Sequence, residues 1–156
     1  LKGDPDTALK KLDESTRLDA HFDQTYLLIG DTYMNKKDLD KAAMAYQKVL
    51  TLRPDFAQAQ GVLAYIYAQQ GKLAEAIQAN LKLINMSPAD PNIWNTHKNL
   101  ALLYQQTNDF PSAINQAQIA ASTAPTNDRL QLQAYATQLS ALMAAPPVTQ
   151  TAPVSQ

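Results

Sequence analysis

Two histidines, His21 and His97, and a recurring aspartate at Asp4, Asp38 and Asp109 are the residues whose types could carry chemistry in this chain. A catalytic base, nucleophile or metal has to be held by groups that converge on one cleft. The histidines do not form a pair at metal-ligand spacing. There is no cysteine for a thiolate nucleophile, a thiolate metal site or a disulfide, and the four glycines are scattered rather than gathered into a phosphate loop. The aspartates fall at one position of a repeating pattern, just ahead of an apolar helical stretch. A carboxylate there accepts hydrogen bonds from the free N–H groups of a helix start, so their chemistry is capping. His21 falls at a junction between helices and reads as solvated or capping, and His97 stands at a packing position. No catalytic residue, cofactor or metal site is expected.

The elements that would have to position a site repeat along the chain. Tyr33 and Tyr67 are 34 residues apart, as are Ala42 and Ala76, and Pro54 and Pro88. Tyr104, Ala113 and Pro125 each follow 37 residues after their predecessors, so a single three-residue insertion lies upstream of Tyr104. Three residue types sharing one offset identify an internal repeat.

The pattern resembles tetratricopeptide repeats, which run W-x2-L-G-x2-Y, then A-x3-F, then P, over about 34 residues. The first full copy reads Tyr26, Ile29, Gly30, Tyr33, Ala42, Tyr46, Pro54. The second reads Gln60, Leu63, Ala64, Tyr67, Ala76, Asn80, Pro88, and the third His97, Leu100, Ala101, Tyr104, Ala113, Ala117, Pro125. Gln60 and His97 replace the Trp, and Asn80 and Ala117 replace the Phe. The resemblance covers Gly3 to Ala144 and implies an all-α, right-handed α-solenoid of about eight helices in antiparallel pairs, A and B. Gly30, Ala64 and Ala101, with Ala42, Ala76 and Ala113, would let the helices approach closely. Tyr33, Tyr67 and Tyr104 would be buried in the seams, and each proline would stop a helix B. Gly71 stands where helix A ends and suits a left-handed residue, while Lys72 breaks the aspartate column and predicts a weaker helix start.

The expected boundaries are 1–22 for the second helix of a truncated repeat, in which Gly3 matches Gly71 and Ala8 matches Ala76, and 23–56 and 57–90 for two repeats. The third repeat, 91–127, holds the insertion; 128–144 is a capping helix with a polar side; and 145–156 is an uncharged, proline-bearing disordered tail. Asp90–Pro91 repeats the Asp4–Pro5 start signal, so the third helix A is expected to begin near Pro91 and to be almost one turn longer than its siblings. Trp94 and His97 then lie one turn apart on one face. Trp94 either packs at the end of the superhelix or projects as a binding anchor.

The composition excludes several partners. Apolar residues make up 46% and the formal net charge is −1, with the basic residues mixed among acids rather than set in a stripe, so no nucleic acid partner is expected. No apolar run reaches the ~18 residues of a membrane helix, so no membrane insertion of this segment is expected. The chain begins at Leu1 and reads as part of something longer.

The resemblance places an inner groove on the A helices. Its partner-binding residues would be Leu28, Val62, Tyr65, Lys98, Asn99 and Leu102, set among amides such as Gln58, Gln69, Asn95 and Gln106. Gly61, inside a helix, either lets a ligand backbone come close or marks drift near a helix start. Some family members clamp chaperone tails with cations in set columns. Those columns here hold Leu27, Asp31, Val62, Asn95 and Asn99, so that role is not expected. The leading reading is a module that binds a peptide or helix of a protein partner in the groove, as part of a larger protein. The alternative is a structural spacer or self-assembly array. Family arrays are also attached to bacterial envelope proteins such as glycopolymer ligases and secretion or pilus assembly factors, and the present chain is compatible with such a tether.

Overall fold

The computed structural model describes residues 5–18 and 23–144. These form eight α-helices and no strand: α1 (Pro5–Leu18), α2 (Asp23–Asn35), α3 (Leu39–Leu52), α4 (Ala57–Gln69), α5 (Leu73–Met86), α6 (Ile93–Gln106), α7 (Phe110–Thr123) and α8 (Thr126–Ala144). Helices α2, α4 and α6 take the A position, and α3, α5 and α7 the B position. Every sizeable helix–helix contact joins consecutive helices, which gives a right-handed solenoid. The expected cap at Asp4, the Gly3 match, the junction residue His21 and the expected tail 145–156 lie outside the described residues.

The helix boundaries follow from local chemistry. Asp38 and Asp109 accept hydrogen bonds from the N–H of Lys41 and Ser112 at 3.2 Å each, while Lys72, in the same column, makes no side-chain cap bond. A hydrogen bond from the Lys41 side chain is the main cause holding the Asp38 carboxyl below the usual carboxylate range. With its folded pKa depressed, the contribution of Asp38 is complete above the ordinary carboxylate pKa and is lost as pH falls through the lower folded value.

The A helices end alike. Lys37, Gly71 and Asn108 share one column and all take the left-handed conformation, with φ of 60°, 70° and 60°. The next residue's N–H then donates back to the column tyrosine: Asp38 to Tyr33 O at 3.0 Å, Lys72 to Tyr67 O at 2.9 Å, and Asp109 to Tyr104 O at 2.8 Å. This is the closing bond of a Schellman-type terminus. The B helices stop at Leu52, Met86 and Thr123, one residue before the position preceding each proline. Arg53, Ser87 and Ala124 precede those prolines and carry positive ψ, 84°, 62° and 152°, because a proline ring pushes its predecessor out of the helical region.

Small residues bring the layers together. Ala42, Ala76 and Ala113 are wholly buried, as is Ala101. Gly30 is buried against α3 so closely that a Cβ there would stand 2.8 Å from Tyr46 Cε2. The Tyr46 hydroxyl in turn donates to the Asp31 carboxylate of α2, and burial first, then that bond, pushes the phenol's pKa far up.

Two expectations need correction. Tyr33, Tyr67 and Tyr104 sit at the seams but are half-buried rather than enclosed. The Tyr67 oxygen accepts from Gln47 Nε2 at 2.6 Å there, and Lys41 Nζ lies 5.3 Å from the Tyr33 ring centre. The third helix A does not begin near Pro91. It begins at Ile93 and, at 14 residues, is one longer than α4 at 13. Most of the insertion is taken up by the turn 87–92, where Asp90 Oδ1 accepts from Asn92 N–H at 2.8 Å and folds the chain locally.

Ala76 packs in one cluster with Leu100 and Leu103 of α6 and with Tyr67 and Ala68 of α4. Ala76→Leu should overpack this seam and destabilise by about 1–3 kcal/mol; a thermal melt unchanged from wild type would reject the packing register. Lys37→Gly should stabilise by about 0.5–1 kcal/mol by removing the Cβ strain of the left-handed turn, read as a rise in the chemical denaturation midpoint.

Candidate binding groove

Residues three and four apart share a helix face. On α4 and α6 this aligns Gly61, Tyr65, Ala68 and Gln69 opposite Asn99, Leu102 and Gln106. The two stripes border a depression of about 430 Å³, with Leu83 of α5 and Leu103 of α6 in its floor. Tyr65 and Leu102 remain 54% and 42% exposed, so these large side chains are not used up by the core. Asn80 also reaches the floor, but its Nδ2 is engaged by Ala76 O at 2.8 Å.

A second pocket, of about 230 Å³, lies between α6 and α8, lined by Trp94, Lys98, Leu102, Leu132 and Tyr135 with Asp128 at its edge. Lys98 Nζ stands 5.2 Å from the Trp94 ring centre, within cation–π range. The Tyr135 hydroxyl donates to Gln105 Oε1 at 2.7 Å, tying α8 to α6, and burial pushes the Tyr135 phenol up. Trp94 also packs on Ala120, Ala121, Ala124 and Leu132, so it is a packing residue that shows one side to a pocket. Its Nε1 is buried without a hydrogen-bond partner.

Of the six residues expected to bind a partner, Tyr65, Asn99 and Leu102 come together in the α4–α6 depression, and Lys98 joins Leu102 in the neighbouring pocket. Leu28 is 48% exposed on α2 and lines neither. Val62 is half-buried and packs against the core cluster of α3 and α4. Sequence reasoning missed Leu83, because it sits on a B helix behind Gly61, and Leu132 and Tyr135, because groove positions were counted on three A helices only. The run 128–144, which follows the third repeat in the place of a further helix A, was the signal that could have found them. A larger hollow of about 700 Å³ opens between α3 and α5 over Leu63 and Tyr67, with Glu75 and Lys82 on its wall.

His97 Nδ1 is 2.7 Å from Gln116 Oε1, an A-to-B link rather than part of a cleft. Among the described residues no three His, Cys, Asp or Glu side chains gather where they could hold a metal, and no helix is long and apolar enough to cross a membrane.

Antiparallel helix pairs with alanine seams and a groove of amides and apolar side chains define a helical-repeat solenoid. The chain belongs to the tetratricopeptide repeat family, whose model matches residues 2–55 and 27–91. It is 28% identical to BBSome complex member BBS4 of Bos taurus over 116 residues, 74% of this chain, and it spans 22% of that relative's length. Among solved structures it is similar to MamA (41-end) from Desulfovibrio magneticus RS-1, at a TM-score of 0.69 and 20% identity, covering 91% of this chain and 87% of that one. It is also similar to the TPR2B domain of yeast Sti1 in complex with pHsp70, at a TM-score of 0.61 and 23% identity, covering 74% and 96%. At these identities the solved structures show the shared fold.

Trp94→Ala should destabilise by about 2 kcal/mol, below the full value for a wholly buried aromatic, because the ring is only partly buried against α7 and α8. Equilibrium unfolding checks this, and a variant as stable as wild type would make Trp94 an exposed anchor only.

Proposed function

We propose that the chain is a protein-interaction module whose A-helix face takes a peptide or helix of a partner protein. The observation that carries this is the α4–α6 depression, in which Tyr65 and Leu102 stay about half exposed among Gln69, Asn99 and Gln106. Apolar spots take side chains while amides bond a main chain, the combination that peptide-reading grooves use. The yeast Sti1 domain of like fold is in complex with pHsp70, which supports a binding role for such a face. The groove columns that hold cations in chaperone-tail clamps hold Leu27, Asp31, Val62, Asn95 and Asn99 in this chain, so its partner differs in chemistry from an acidic tail.

The test places a photo-crosslinking residue at position 99, in the groove, or at position 44, where Met44 is 69% exposed on α3. Adducts with a partner protein are expected from position 99, and are expected to vanish when Tyr65→Ala and Leu102→Ala are added. Equal adducts from both positions would reject the groove, and adducts only between copies of the chain would establish the self-assembly reading instead.

A further inference from the structure

We propose that Gly61 is a specificity residue: it keeps the floor of the α4–α6 depression open for an uncharged partner segment that seats an aliphatic side chain over it. This rests on the groove reading above. Gly61 is the fifth residue of a thirteen-residue helix, where glycine weakens the helix relative to alanine. The other two described glycines have structural reasons to be glycine. A Cβ at Gly30 would collide with the Tyr46 ring at 2.8 Å, and Gly71 has φ of 70°. Gly61 has neither reason. Its φ is not left-handed, and a Cβ there would meet a single atom, Leu83 Cδ2, at 3.5 Å, an ordinary contact. Alanine would fit the fold and favour the helix. The methyl it adds would stand on the wall of the depression, against Leu83.

The character of the occupant follows from what lines that space. No Asp, Glu, Lys or Arg borders the depression. A charged side chain entering it would lose water without gaining a counter-charge, so the segment that fits is uncharged. The Leu83 methyl and the exposed parts of Tyr65 and Leu102 suit an aliphatic group at the bottom. Gln69, Asn99 and Gln106, exposed on the rims, suit the main chain on either side of it.

The test selects short random peptides, displayed on phage, against the wild-type protein and measures the enriched peptides by fluorescence anisotropy. The enriched peptides are expected to carry an uncharged run around a Leu, Ile or Val. Gly61→Ala is expected to weaken them roughly ten-fold or more while raising the Tm by about 2–4 °C. Shortening the peptide's aliphatic residue to Ala should then narrow the gap between wild type and Gly61→Ala. If peptides that require Tyr65 and Leu102 bind Gly61→Ala as tightly as wild type, or carry charges at their centre, the proposal for Gly61 falls while the groove stands. A lower Tm for Gly61→Ala also overturns it, since glycine would then be structural. Peptides indifferent to Tyr65→Ala and Leu102→Ala, or no enriched peptides at all, overturn the groove itself.

Discussion

How near one helix may come to the next is set by a column of side chains no larger than a methyl group. Ala42, Ala76 and Ala113 are each wholly buried, and Gly30 lies in contact with the Tyr46 ring. Alanine itself removes little apolar surface from water. Its effect is to let flanking residues meet, and the large side chains buried most completely, Val49, Ile66, Leu100 and Leu139, all flank such seams. At roughly 25 cal/mol per Å² of apolar area removed from water, each contributes a few kcal/mol that a wider spacing would forfeit. The groove inherits its width from the same spacing, since α5 packs against both α4 and α6.

Polar residues stand in some columns where aromatic ones are usual, and the fold accommodates them by direct bonds. Gln60 is buried, and its Nε2 donates to Ala79 O of α5 at 3.0 Å; Asn80 is buried and donates to Ala76 O. A buried amide left unpaired would cost on the order of 1–3 kcal/mol, so the Gln60 bond, which crosses from α4 to α5, also penalises a slip of one along the other, while the Asn80 bond stays within α5. Ion pairs contribute less. Arg53 reaches Asp23 at 2.8 Å and its hydrogen bond lowers the Asp23 pKa, but both are solvated, and pairs of this kind are weak.

Much of this architecture was legible because periodic residues leave an offset that can be counted. The tyrosine, alanine and proline columns located all six A and B helices from α2 to α7, and the aspartate column located the caps of α3 and α7. What was not legible was how the backbone absorbs irregularity. Asp90–Pro91 resembles a helix start, yet the turn at 87–92 tightens on itself through Asp90 and delays the helix to Ile93. The left-handed terminus at Lys37 was also hidden, because lysine does not announce that conformation as Gly71 does, whereas Asn108 is of a type that adopts it more readily. At the groove, helical periodicity brought Tyr65, Asn99 and Leu102 to one face but could not show that Val62 packs against the core cluster of α3 and α4, nor that Leu83 rises from the layer behind. Both depend on how far α5 sits between its neighbours, which is a matter of packing rather than of pattern.

Contact only between consecutive helices has a mechanical meaning. A globular core braces each element from several sides, whereas here a helix is braced by the one before it and the one after it. The described chain is in effect a coil spring whose turns are helix pairs. Small rotations at each seam add along its length, so its curvature is soft even where each helix is stiff.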